Sequence, residues 1–396
     1  MKIGETLYLD HQATTPLDSR VFDAMRPYFE GRFGNPHAVD HVVGWRAAQA
    51  VDRAAGQLAS LIGADPDEIV FTSGATEANN LALLGLGRRA AGGYRNRILL
   101  GATEHKCILE LGRILRDTYG YKINYIPVDS EGRIVPNVLA EHLSDDVLLV
   151  SVMAVNNEIG TIQSMQAISD AVRQHGALLH CDGAQAPCAL DLSGIAQTVD
   201  MLSLSGHKMY GPMGIGALYI QRDLHCEIEP LIYGGGQQNG LRSGTLPTPL
   251  IVGIGAAAGL SSGASATAER VAVRELSRRF EEQLKGMPCP VWINGPTNPS
   301  QRHPGNINAR FEGIVAAALL GQVQPRLAAS TGSACTSGIP EPSHVLRAIG
   351  LSDQEASSSI RFSLGRQTTE DDVLNAAQIL KSAIENLAID GLLEIA

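Results

Sequence analysis

Lys208 stands in Ser205-Gly206-His207-Lys208-Met209-Tyr210-Gly211-Pro212, between the apolar runs 199–204 and 217–220. A lysine on a short turn between two buried strands is poorly placed for bulk solvation. It is either a surface amine on a hairpin, or an amine whose pKa desolvation lowers until it can form a Schiff base. Four other residues with useful chemistry, Thr76, His105, Asn157 and Asp182, also sit just after apolar runs. Asp182 follows a stretch that reads as a buried strand, where a carboxylate without a cationic partner is costly. Ser73-Gly74-Ala75-Thr76 offers hydroxyls and free N–H groups at a helix start, which is either a phosphate cradle or a plain helix cap.

The elements that must position these residues alternate regularly. Runs 68–72, 97–101, 122–128, 147–153 and 178–181 read as strands; 77–87, 107–119, 136–142 and 165–175 read as helices. Such alternation implies right-handed crossovers and an α/β fold with a mostly parallel sheet flanked by helices. Ligands bind beyond the carboxyl ends of such strands, where the five residues fall. A polar loop at 234–245 and a helix over 250–259 follow, and 261–265 reads as a hinge into a smaller α+β domain. The expected division is 16–260 for the large domain, with 1–15 and 261–396 forming the small one.

Length and composition bound the function. A chain of 396 residues, 44% hydrophobic and 18% charged, can bury a large core. Its net charge of −10 argues against broad binding to nucleic acid or an anionic membrane surface. Six cysteines show neither a CxxC pair nor the spacing of a zinc site, so no metal is expected and a reduced compartment is. No apolar segment reads as a signal or a membrane span, and the expected location is the cytoplasm.

A strand-end amine, a buried carboxylate and a phosphate cradle on one sheet edge together fit pyridoxal 5′-phosphate. Ser205 and His207 are further phosphate donors, and Gln185 lies three residues beyond Asp182. The motifs then become specific. Tyr8-Leu9-Asp10, Ala13-Thr14-Thr15-Pro16, Phe33-Gly34-Asn35-Pro36, Phe71-Thr72-Ser73-Gly74-Ala75-Thr76-Glu77 and Thr103-Glu104-His105-Lys106 come first. Val155-Asn156-Asn157-Glu158-Ile159-Gly160, Asp182-Gly183-Ala184-Gln185 and the lysine segment follow. Gly234-Gly235-Gly236, Arg242-Ser243-Gly244-Thr245-Leu246-Pro247, Gly332-Ser333-Ala334-Cys335 and Ser359-Ile360-Arg361-Phe362-Ser363-Leu364-Gly365 complete the set. In this order the chain resembles the cysteine desulfurases, in the class V aminotransferase-like branch of the fold type I pyridoxal-phosphate enzymes.

That resemblance implies roles. Lys208 would carry the cofactor and shuttle the proton at the substrate α-carbon. Asp182 would pair with the ring nitrogen, Gln185 would bond the phenolic oxygen, and His105 would stack on the ring and act as an acid–base group. Thr76, Ser205 and His207 would hold the phosphate, with Thr245 arriving from a second copy in a homodimer, and Ala75 and Asn157 would complete the cofactor contacts. Arg361 would bind the substrate carboxylate, assisted by Asn35 and Asn157. Cys335 would take the sulfur of L-cysteine as a persulfide, leaving L-alanine, and pass it to an acceptor protein of iron–sulfur assembly or thiolation.

Gly183 departs from the alanine or small hydroxyl residue frequent in the family, and the tail beyond Arg361 is shorter than in members that engage an iron–sulfur scaffold through it. The rival readings are a selenocysteine lyase-like enzyme, a class V aminotransferase in which Cys335 is incidental, and a non-catalytic assembly subunit.

Overall fold

The computed structural model describes residues 1–332 and 342–389. Its strands in chain order are β1 (Lys2–Ile3), β2 (Thr6–Tyr8), β3 (Ile69–Thr72), β4 (Arg97–Gly101), β5 (Lys122–Ile126), β6 (Val147–Ser151) and β7 (Leu178–Asp182). Next come β8 (Met201–Ser205), β9 (Gly216–Ile220), β10 (Val291–Asn294), β11 (Asn306–Phe311), β12 (Leu327–Ala328) and β13 (Ser359–Ser363). The main sheet runs β3-β9-β8-β7-β6-β4-β5. Its ladders are parallel except at β9, which pairs antiparallel with both β3 and β8. The cause is the connection 206–215: it is too short for a crossover helix, so β9 returns as a hairpin partner of β8.

Helices cover both faces, so β6, β8 and β9 are buried along their whole length, as in a sheet without a solvent side. One face packs Leu58, Val150, Leu179, Leu204 and Ile254; the other packs Leu81, Leu100, Leu149 and Leu218. A separate core gathers Phe280, Phe311, Phe362 and Leu380 with Leu7 and Leu9 from the opposite end of the chain. Phe362 meets the edge of Phe280 at 5.2 Å between ring centroids. Here β13 pairs antiparallel with β11, and single bridges tie it to the chain at Asp10 and Ser330.

Several local expectations need correction; the strand read over 122–128, for one, stops at Ile126. The apolar run from Val147 continues to Met153, but the strand stops at Ser151, and the Met153 N–H turns to the Glu104 carboxylate at 2.6 Å. The hinge expected over 261–265 shrinks to Ser261 and Ser262: helix Thr248–Leu260 is followed at once by helix Gly263–Leu284, bent from it by 74°. Ala264, Ala266 and Ala268 are strong helix formers and restart the helix immediately. The helix expected over 165–175 ends at Arg173. No single helix among the described residues is long and apolar enough to cross a membrane.

Candidate active site

The carboxyl ends of β3, β4, β7 and β8 open onto one edge of the sheet. Reversal of β9 places Gly216 there too, opposite both Thr72 and Ser205. A Cβ on Gly216 would lie 2.6 Å from Gly74 Cα, so the Ser73–Thr76 turn rests directly on the lysine hairpin. Gly74 starts helix Ala75–Arg89 and has no side chain to cap it, which leaves the first-turn N–H groups to a ligand. Glu77 anchors the turn, accepting from Ser73 N–H at 2.7 Å and pairing with Arg242 at 2.8 Å.

Lys208 ends the single helical turn Gly206–Lys208. Its Nζ donates to the carbonyls of Gln12 and, at 2.8 Å, Ala13. Gln185 Nε2 donates to the same Gln12 carbonyl at 2.9 Å, so residues 12–13 form a strap joining the amine to the Asp182 loop. The strap is fastened on the other side by Thr15, whose N–H and Oγ1–H both donate to the His207 carbonyl at 2.9 Å. His207 Nδ1 lies 3.1 Å from Thr14 Oγ1, and burial together with the Lys208 charge pushes its pKa down to about 4.

Asp182 is buried, yet its two oxygens accept from neutral donors: Ala184 N–H at 2.9 Å and Asn79 Nδ2 at 2.8 Å. Neither donor is charged, so a cationic group of a ligand would be favoured beside it. Asn79 projects from the same helix as Thr76, three residues on, and so ties the start of that helix to the Asp182 carboxylate. His105 caps helix Lys106–Tyr119, its Nδ1 accepting from Cys107 N–H at 3.2 Å. An N–H can only donate, so the neutral ring carries its proton on Nε2. Burial lowers the His105 pKa, outweighing the opposing pull of Asp182 and keeping the ring neutral.

Arg361, on β13, is also buried. Its Nη1 donates to the Asn157 carbonyl at 2.7 Å, and its Nη2 donates to Asp10 Oδ1 at 2.7 Å and Ser330 Oγ at 2.9 Å. Nε is buried with no partner among the described residues. The Arg361 guanidinium is therefore oriented from three sides.

Thus Lys208, Gln185, Asp182, His105, Arg361 and Asn157 fall around one sheet edge, with Ser205 buried at the end of β8. Thr76 and Thr245 are exposed, as is Asn35, whose Oδ1 accepts from His37 N–H at 3.0 Å within its own loop. Cys335 lies outside the described residues. Sequence reasoning assigned no role to Asp10, Gln12, Ala13 or Asn79. Asn79 carried a signal, since i+3 from Thr76 is the same helix face. The Gln12 and Ala13 contacts are made by main-chain carbonyls and carried none.

A family model described as aminotransferase class-V matches residues 7–375. The chain belongs to that family. It is 45% identical over 381 residues to a protein named cysteine desulfurase IscS from Rickettsia bellii (strain OSU 85-389), covering 96% of this chain and 92% of that one. Among solved structures, a NifS-like protein superposes with a TM-score of 0.88 at 31% identity, covering 97% of this chain and all 100% of that one. A structure of SspA in complex with cysteine gives a TM-score of 0.80 at 35% identity, covering 92% and 100%. The cofactor of this class-V enzyme is pyridoxal 5′-phosphate. The residues present fit it: uncapped helix amides for the phosphate, a buried carboxylate with only neutral donors, and an amine at the strand end between them.

Proposed function

We propose that this chain is a cysteine desulfurase that converts L-cysteine to L-alanine and leaves the sulfur as a persulfide on Cys335. The observation that carries the reading is the strap at residues 10–13. Asp10 engages Arg361 while Gln12 and Ala13 engage Lys208. Three residues of extended chain span at most about 10 Å. An amine able to carry the cofactor and a guanidinium able to hold a carboxylate are thus tied to one short segment, as the two ends of one α-amino acid require. The likeness to IscS and NifS-like proteins supports cysteine as that amino acid.

Bound there, pyridoxal phosphate supplies an electron sink that weakens the substrate α-C–H bond. The residues do the rest. Lys208 takes and returns the α-proton, and Asp182 holds a proton on the ring nitrogen. Gln185 faces the ring hydroxyl, while the amides of Ala75 and Thr76, with Ser205 and His207, bind the phosphate. Arg361 fixes the substrate carboxylate, with Asn157 and Asn35 beside it. The neutral His105, protonated at Nε2, is the nearby acid–base group. For the sulfur, the Cβ–S bond of the substrate breaks and an S–S bond to the Cys335 thiol forms. The Cβ carbon takes up the electron pair and a proton, giving alanine.

Exposed Phe33, Trp45 and Tyr233 support assembly with a second copy. In that homodimer Thr245 of one copy reaches the phosphate of the other. Residues 16–260 form the large domain, with 1–15 and 261–396 forming the small one. The persulfide passes to an acceptor protein of iron–sulfur assembly or thiolation in the cytoplasm.

The deciding experiment compares wild type with Cys335→Ser, each given L-cysteine without an oxo acid. Wild type should form alanine and released sulfur in equal amounts under reductant. Cys335→Ser should lose sulfur release while keeping the absorbance change that cysteine binding causes. Sulfur release surviving in Cys335→Ser would point to selenocysteine lyase-like chemistry, and a requirement for an oxo acid would point to transamination.

A further inference from the structure

Tyr210 lies two residues beyond Lys208, and its backbone is unusual. Its φ of +63° falls in the left-handed region, which glycine and asparagine adopt readily and a bulky side chain seldom does. A tyrosine keeps such a conformation when its surroundings over-determine it. Here they do. The Tyr210 N–H donates to Thr15 Oγ1 at 2.8 Å, and that hydroxyl in turn donates to the carbonyl of His207, the neighbour of Lys208. The Tyr210 carbonyl accepts from Asp18 N–H at 3.0 Å.

The side chain is 4% exposed and is held by the segment that follows β13. The Arg366 guanidinium lies over the ring, 3.9 Å from its centroid, and the Tyr210 hydroxyl accepts from Arg366 N–H at 2.8 Å. Arg366 Nη1 also donates to Asp18 Oδ2 at 2.8 Å. One arginine therefore grips the ring, the hydroxyl and the aspartate whose N–H holds the Tyr210 carbonyl. The fit is close: a Cβ on Gly365 would lie 2.4 Å from the Tyr210 hydroxyl. Because Arg366 follows the end of β13 by three positions, this grip couples the strand that carries Arg361 to the turn that carries Lys208. A glycine at 210 would make the same turn without strain, so the turn by itself does not call for a tyrosine.

We propose that Tyr210 is a positioning residue for the Lys208 amine, clamped by Arg366 so that the Gly206–Lys208 turn presents Nζ to the cofactor aldehyde. This rests on the reading of Lys208 as the amine that carries the cofactor. In that step the amine nitrogen adds to the aldehyde carbon and a C=N bond replaces the C=O bond, the oxygen leaving as water with two protons from the amine. The test mixes cofactor-free protein with pyridoxal phosphate and follows Schiff-base absorbance. Borohydride then reduces the adduct, and mass spectrometry maps the modified lysine. Pyridoxamine phosphate, which has the same ring and phosphate but no aldehyde, is titrated in parallel, and the melting temperature is read.

A reacting group displaced by about 1 Å can cost roughly a hundred-fold in rate. Tyr210→Gly removes the side chain without straining the backbone, and Arg366→Met removes the guanidinium. Each should slow Schiff-base formation by roughly ten- to a hundred-fold, with the double variant no slower than the slower single. Pyridoxamine phosphate should bind each variant as it binds wild type, since only the amine is displaced. Tyr210→Phe keeps the ring beneath the guanidinium and should recover most of the rate. If Tyr210→Gly does not fold, Arg366→Met alone decides. A folded Tyr210→Gly or Arg366→Met that reacts at the wild-type rate overturns the proposal, as does an equal loss of pyridoxamine phosphate affinity, the mark of general damage to the site. Wild type that is reduced at a lysine other than Lys208 overturns the cofactor reading itself.

Discussion

Replacing Asp10 by asparagine should expose what its pairing with Arg361 contributes. The side chains are 17% and 5% exposed, so bulk water screens the pair little. Two unit charges about 4 Å apart attract by about 4 kcal/mol at the effective dielectric of a partly buried site. Desolvation offsets part of that gain, but removal of one partner of a buried pair still costs about 3–5 kcal/mol, because the other charge stays behind. The introduced amide would keep an oxygen for Arg361 Nη2, and Ser330 and Asn157 would remain, so the lower end of that range is expected, about 3 kcal/mol. With an unfolding entropy of about 2.1 cal/mol/K per residue, this corresponds to a melting temperature lower by about 4 °C.

Unfolding of wild type, Asp10→Asn, Arg361→Met and the double variant forms a cycle. The double variant should lose less than the sum of the singles, by about 2 kcal/mol or more, since no charge is left unpaired. L-Alanine, an unreactive carboxylate in the desulfurase reading, should raise the melting temperature of Asp10→Asn more than that of wild type, because its carboxylate replaces the missing charge. Additive effects and an Asp10→Asn loss under about 0.5 kcal/mol would refute the reasoning and reduce the pair to an exposed one.

Two further outcomes follow from burial. His180 lies between the hydroxyls of Ser151 and Ser203, at 2.9 and 3.1 Å, and burial lowers its pKa to about 4. The unfolded chain takes that proton near 6.5, so stability falls as pH drops from about 6.5 toward about 4. Near ~pH 5 the slope from His180 is about 1.2 kcal/mol per pH unit, and denaturant midpoints of His180→Asn should lose that portion; an unchanged slope counts against it. Gly216→Ala would press a methyl group to 2.6 Å from Gly74 Cα and the Leu204 carbonyl oxygen. Overpacking of about 1–3 kcal/mol should weaken pyridoxal phosphate binding roughly five- to a hundred-fold in a titration of cofactor-free protein, and an unaltered Kd would show that the two turns move independently.

The strand-end placement of the site was legible because apolar runs and turn residues have local signatures. Thr76, His105, Asp182 and Lys208 follow β3, β4, β7 and β8 as expected. The direction of β9 was half legible: the ten residues between β8 and β9 preclude a crossover, but the pairing of β9 with β3 as well joins residues almost 150 positions apart. Helix boundaries failed where two tendencies competed, as at Gly263, where serine and glycine read as a hinge and three alanines carried the helix.

The sequence by itself determined which groups are chemically able: an amine after an apolar run, a carboxylate that cannot stand alone in a core, a thiol in a polar stretch. Residue type and short-range period suffice for that. The tertiary structure alone decided which groups meet. Asp10 reaches Arg361 across 351 positions because the bridge between Asp10 and Ser363 sets the N-terminal strap alongside β13. Gln12 and Ala13 reach Lys208 through main-chain carbonyls, which every residue type possesses. Glu158 meets Ser343 across 185 positions because its loop is locked by Asn306 and Asn308 of β11. Such contacts depend on how separate cores and sheets close on each other, and local pattern carries no record of that closure.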